Sequence, residues 1–176
     1  MMGPPPFEHV VAEHHAEIYR YLRRTIFRTA EAEDLAQETF LRAYRAYRGL
    51  PPDARVRPWL FTIATNVARN YFRAESRRRR AHTAMETAGR GSVDGGADGE
   101  AVLGEIRVQL DAAVMALPPK QRLAFTLRKV HDLDYETIAR GLDCSVDSAR
   151  AHVFQALRKL RHSLNGHLAP APEPRA

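Results

Sequence analysis

Between Ala81 and Gly99 the chain has no aromatic residue and few large apolar ones. Gly89, Gly91, Gly95, Gly96 and Gly99 punctuate a run of Ser, Thr, Asp and Ala. Such a composition buries too little surface to offset the entropy of ordering it, so residues 81–99 are expected to be a flexible linker. The 176 residues then fall into two modules, 7–80 and 100–164. Residues 165–176, rich in Pro and Ala, are expected to form a disordered tail. Whether the two modules pack together is left open by the sequence.

Both modules read as helical. In the first, Phe7, Val10, Val11, His14, Ile18, Tyr21, Leu22 and Ile26 recur at three- and four-residue steps, which makes one apolar face of a long helix. A second helix starts near Thr29 or Ala30, with Leu35, Phe40, Ala43, Tyr44 and Tyr47 inward, and ends at Gly49 before Pro51 and Pro52. A third begins at Pro58, a residue suited to a first helical turn, and carries Trp59, Leu60, Ile63, Val67 and Tyr71.

The second module opens with a helix whose apolar set is Val102, Leu103, Ile106, Leu110, Ala113, Val114 and Leu117. Pro118 and Pro119 interrupt it and restart a helix to about Val130. Asp134 is positioned to cap a short helix from Tyr135 to Arg140, ended by Gly141, and Ser145 to cap a last helix reaching about Ser163. Short helix, turn, longer helix is the helix-turn-helix pattern. Sustained period-two alternation is absent, so the expected class is all-α: two small helical domains on a flexible linker, the second with a helix-turn-helix.

Composition bounds the function. Hydrophobic residues make up 44%, enough for a packed core, and a net charge of +6 favours a polyanionic partner such as nucleic acid or an anionic membrane surface. The one cysteine, Cys144, excludes an intramolecular disulfide and a cluster of thiolate ligands. The N-terminal residues lack the basic-then-apolar pattern of a signal peptide, and no apolar run approaches the roughly 20 residues that span a bilayer. A cytoplasmic protein without membrane insertion is expected.

Three constellations are candidates for function. On the last helix, Ser145, Asp147, Ser148, Arg150, Ala151, His152 and Gln155 point outward, with Arg158, Lys159 and Arg161 beyond them. A recognition helix presents such residues to base edges and phosphates; an amphipathic helix with a solvated basic face has the same spacing. Arg69, Asn70, Tyr71, Phe72 and Arg73, followed by Arg77 to Arg80, suit single-stranded DNA, because cations track phosphates while rings stack on bases. The alternative is a core aromatic set with a solvated, dipole-favoured Arg run. Glu31, Glu33, Asp34, Gln37 and Glu38 form an acidic patch in a basic protein; the helix dipole accounts for the first acids, and a protein-binding face is the alternative. His14 and His15 are adjacent and lack metal-ligand spacing. Gly-rich phosphate loops, paired-carboxylate sites and Ser-nucleophile motifs are absent. No catalytic residue, metal ligand or cofactor is expected.

At these residues the chain resembles the RNA polymerase sigma factors of the extracytoplasmic-function group (sigma-70 family, group 4). Glu33-Asp34-Leu35-Ala36-Gln37-Glu38-Thr39-Phe40-Leu41-Arg42-Ala43-Tyr44-Arg45 looks like region 2.2. Arg57-Pro58-Trp59-Leu60-Phe61-Thr62-Ile63-Ala64-Thr65-Asn66-Val67-Ala68 resembles the helix that melts the minus-ten element. Leu117-Pro118-Pro119-Lys120-Gln121-Arg122 and Leu133-Asp134-Tyr135-Glu136-Thr137-Ile138-Ala139 resemble the start of region 4.

The resemblance implies a non-enzymatic factor. It would bind the polymerase core at the clamp helices of the largest subunit and the flap of the second largest, bind promoter DNA, and answer to an anti-sigma factor. It implies a polymerase-binding set of Glu33, Asp34, Gln37, Glu38, Phe40 and Arg42. The minus-ten set is Trp59, Asn66, Arg69, Asn70, Arg73 and Arg77. The minus-thirty-five set is Ser145, Ser148, Arg150, Ala151, His152, Phe154, Gln155 and Arg158. The pattern departs at Ala149-Arg150-Ala151-His152, where family members often carry Val-Arg/Lys-Ser-Arg; the departure bears on which bases are read. The strongest rival is a DNA-binding regulator that uses the helix-turn-helix without joining polymerase.

Overall fold

A computed structural model describes residues 5–83 and 101–168, and all regular structure in them is helical. The order is α1 (Phe7–Ile26), α2 (Thr29–Tyr47), α3 (Val56–Thr83), α4 (Ala101–Met115), α5 (Pro119–Phe125), a wider π-turn (Thr126–Val130), α6 (Tyr135–Leu142) and α7 (Val146–Leu168). No described helix is long and apolar enough to cross a membrane.

The expected stripes account for most of the burial. Ile18, Tyr21 and Leu22 of α1 meet Ala36, Phe40 and Ala43 of α2 and Leu60, Phe61 and Ala64 of α3. The hydroxyl of Thr65 donates to the Phe61 carbonyl, so the fully buried Tyr21 hydroxyl donates to Thr65 Oγ1 at 2.9 Å. Leu123, Leu127, Ile138 and Leu142 from the second half belong to the same core. The two helical halves therefore close on each other, chiefly where α6 lies on α3. A smaller cluster of Ala113, Val114, Leu117, Ala156 and Leu160 joins α4 to α7.

Several expectations are corrected. Helix α3 begins at Val56, ahead of Pro58, and runs to Thr83, so residues 81–83 are helical rather than linker. The remainder of the expected linker lies outside the described residues. Helix α7 runs on to Leu168, into the expected tail, whose last residues lie outside the description. Tyr44, expected inward, is exposed at 57%, and Ile106 and Leu110 of α4 are also exposed. The helix after Pro119 does run to Val130 as expected, widening into the π-turn at Thr126.

Gly141 does not end α6. It lies within the helix, and the C-cap is Asp143 in the left-handed region at φ 52°. The reason is tertiary: a Cβ on Gly141 would lie 2.9 Å from Thr65 Cβ, so its missing side chain lets α6 approach α3.

Candidate nucleic-acid interface

The two capping expectations hold and set the direction of α7. Asp134 Oδ1 accepts the Thr137 N–H at 2.7 Å at the start of α6, and Ser145 Oγ accepts the Ser148 N–H at 3.1 Å at the start of α7. Ala149, Val153, Ala156 and Leu160 then face the core, which turns Asp147, Ser148, Ala151, Phe154, Gln155 and Arg158 to solvent. Phe154 is 67% exposed, a large apolar ring in the middle of this face. Arg150 sits at one flank with its guanidinium 5.2 Å from the centre of the Tyr135 ring. His152, at the other flank, is half-buried, and burial followed by the charge of Lys120 holds it below the usual imidazole value. Gln155 Oε1 accepts from Gln121 Nε2 at 2.8 Å, tying the face to α5.

On α2, Glu33, Asp34 and Gln37 are exposed, and Glu38 accepts from Arg42 Nε at 2.6 Å. Phe40 does not belong to this face: it is buried and stacks on His15. Leu41, 52% exposed, takes its place among the acids, a position helical spacing alone already assigns outward. Tyr44 lies at the edge, its ring against Phe7 at 5.4 Å. The patch is thus an acidic stripe with an apolar centre.

On α3 the expected set divides. Asn70, Arg73 and Arg77 are exposed. Trp59 is half-buried beside Tyr47, their ring centres 6.4 Å apart. Asn66 and Arg69 face the second half: Arg69 Nη1 donates to Asn66 Oδ1 at 3.0 Å and to the Gly141 carbonyl at 3.2 Å. Arg69 Nη2 also lies 3.6 Å from the Asp143 carboxylate, and the Arg69 side chain is only 11% exposed.

Sequence reasoning missed a polar cluster between the halves. Arg57 of α3 donates to both carboxylate oxygens of Glu17 on α1 and, at 2.9 Å, to the His131 carbonyl. The buried His131 ring has its Nδ1 3.3 Å from Glu17 and lies against Phe61 and Tyr21, and its Nε2 has no partner. Burial lowers the His131 pKa, Arg57 and Arg24 lower it further, and Glu17 opposes them. Partial burial raises the Glu17 pKa, but the hydrogen bonds to Arg57 and His131 bring it below the ordinary carboxylate value.

Both groups bind fewer protons in the closed form than when exposed, so closed-form stability rises with pH. It is expected to weaken as pH falls through the ordinary imidazole value of 6.5, and again as Glu17 protonates below 4.5. Thermal unfolding should therefore show a lower midpoint at about pH 5.5 than at about pH 7.5, with a flatter profile in His131→Gln. An unchanged profile in that variant would remove His131 as the source.

Residues 10–78 match the Sigma-70 region 2 family and residues 107–160 match Sigma-70, region 4. The chain is 33% identical over 135 residues to the ECF RNA polymerase sigma-E factor of Escherichia coli (strain K12), covering 73% of this chain and 71% of that protein. It is 30% identical over 172 residues to the RNA polymerase sigma-H factor of Pseudomonas aeruginosa, covering 94% and 89%. Its fold is similar to the sigma factor RpoE solved with the anti-sigma factor NepR from Bartonella quintana, with a TM-score of 0.69 and 22% identity over 90% of this chain and 96% of that one. It is also similar to CnrH solved with the cytosolic domain of CnrY, with a TM-score of 0.63 and 24% identity over 91% and 88%.

Proposed function

This chain belongs to the extracytoplasmic-function group of the sigma-70 family, and we propose that its three surfaces divide the work of promoter recognition. As a sigma factor it is non-enzymatic and directs RNA polymerase to promoters. The acidic stripe of α2, with Asp34, Gln37, Glu38 and Leu41 at its centre, docks on the clamp helices of the largest polymerase subunit. The outward face of α7 enters the major groove of the minus-thirty-five element, and the second half also contacts the flap. Residues of α3 from Trp59 to Arg77 hold the unpaired minus-ten strand. Stacking of bases on rings, worth about 1–3 kcal/mol each, offsets part of the cost of strand separation. An anti-sigma factor is its regulatory partner, and this reading puts the protein in the cytoplasm.

The observation that carries this reading is the α7 face: a Ser145-capped helix start, with Ser148, Ala151, Phe154, Gln155 and Arg158 exposed together on one side. The test is run-off transcription with purified bacterial core polymerase, this protein and a library of promoter fragments. Discrete transcripts that require the protein are expected. Tight, sequence-specific duplex binding without polymerase, and no transcripts, would favour a regulator acting on its own.

Arg150→Ala should cost roughly 1–3 kcal/mol at a specific upstream site, read by fluorescence anisotropy on duplexes that differ at single base pairs. An equal loss on every duplex would make Arg150 a phosphate contact rather than a base reader.

A further inference from the structure

A hydrogen bond between two glutamines fixes what one side chain of the α7 face can offer to DNA. Gln121 is a buried polar residue on α5, and its Nε2 donates to Oε1 of the exposed Gln155 at 2.8 Å. The adjacent Arg122 pins this turn of α5 to the carbonyls of Thr25, Met115 and Leu117, so the Gln121 amide acts from a fixed place. The orientation of the pair follows from the cost of leaving buried groups unmatched. Gln121 Oε1 is buried without a partner. Turning both amides over would satisfy that carbonyl but strand the Gln121 NH2 group, with two donors unmet. Protein interiors tolerate an under-satisfied carbonyl better than an orphaned N–H, so the donating orientation of Gln121 is favoured.

An unrestrained glutamine reads adenine, because its carboxamide accepts from N6 and donates to N7 together. Here Gln121 holds Oε1 inward, which leaves Nε2 as the end that meets a base. The exposed side chains within a turn of Gln155, Ala151, Phe154, Arg158 and Lys159, carry no acceptor either. Guanine offers two acceptors at its major-groove edge, O6 and N7, whereas adenine and cytosine turn an amino donor toward the same space. We infer that Gln121 determines specificity from outside the DNA contact surface, orienting Gln155 so that it selects guanine over adenine in the minus-thirty-five element. The inference rests on the major-groove reading of α7 given above. Gln121 is a positioning residue, since it is buried and acts on the base only through Gln155.

The test uses holoenzyme made from bacterial core polymerase and the full chain, on a promoter library with the upstream element randomised. Transcripts are counted for each base at each position. The unaltered protein should favour guanine over adenine about tenfold at one position. Gln155→Ala, a surface change, should abolish that preference and leave the other positions as they were. Gln121→Leu removes the donor and lets the Gln155 carboxamide rotate, so guanine and adenine should come within about twofold of each other at that position alone. Gln121→Met repeats the measurement if the leucine variant does not fold. A role in packing only would lower transcription on every sequence alike and leave the ratio unchanged.

Any base other than guanine favoured at the position that depends on Gln155 would overturn the orientation. A guanine preference that Gln155→Ala removes and both Gln121 variants leave intact would overturn the positioning role. If Gln155→Ala left every preference intact while Arg150→Ala removed one, Gln155 would not be a reader and this inference alone would fall. If neither variant changed any upstream preference, α7 would not read bases, and the underlying reading would fail with it.

Discussion

Replacing Arg122 with Met should destabilise the protein by about 3–5 kcal/mol, a large effect for one residue. Its Nη1 donates to the Thr25 carbonyl at 2.7 Å, and its Nη2 to Met115 at 2.6 Å and Leu117 at 3.1 Å. These are backbone acceptors near the ends of α1 and α4 that their own helices leave without donors. The guanidinium also lies over the rings of Phe27 and Phe72, at 5.7 and 5.4 Å. One side chain on α5 thus joins α1, α3 and α4. Burial, and secondarily Arg79, lowers its pKa to about 10, which still leaves it charged at neutral pH. Met fills similar volume but donates nothing, so three acceptors lose a charged partner, at about 1–3 kcal/mol for each that stays dry. Arg122→Lys should fall between, because an ammonium cannot span all three carbonyls. Urea unfolding with an unchanged slope gives the measurement, and a loss below about 1 kcal/mol for Met would mean that this junction is not held by Arg122.

The second large effect concerns polymerase. Asp34→Lys combined with Glu38→Lys should weaken core binding by about 3 kcal/mol, on the order of a hundredfold. Both acids are on the surface: Asp34 is exposed, and Glu38 pairs only with the neighbouring Arg42, so the fold should change by about 0.5 kcal/mol or less. Reversal turns an attractive stripe repulsive without touching α7. Duplex binding by the full chain should therefore be unchanged while core-dependent transcription is lost. If core affinity stayed the same, the α2 docking assignment would be wrong; if duplex binding fell as well, the variant would have disturbed the fold.

Helix positions were legible because helical periodicity and capping chemistry are local. Asp134 and Ser145 accept their N–H groups as their spacing implies. The alternation that buries Ala149 and Val153 is the one that exposes Ala151 and Phe154. Periodicity says which side is apolar but not whether anything covers it. Tyr44, Ile106 and Leu110 share apolar chemistry with core residues and still meet solvent, since α2 and α4 turn only part of their apolar surface to a neighbour. Phe40 erred in the opposite direction, assigned to a docking face through a motif that runs around the whole helix.

The sequence by itself determined an all-helical chain in two halves, the helix-turn-helix, the acidic stripe of α2 and the outward set of α7, because each depends on residues within a few turns of one another. Only the tertiary structure decided that the halves share one core, that Gly141 is a point of close approach rather than a helix end, and that Arg69 turns away from solvent. Glu17 and His131 are 114 positions apart, and Arg122 and Thr25 are 97 apart. No local preference encodes such pairs, since they come into being only when helices pack and buried polar groups must find partners.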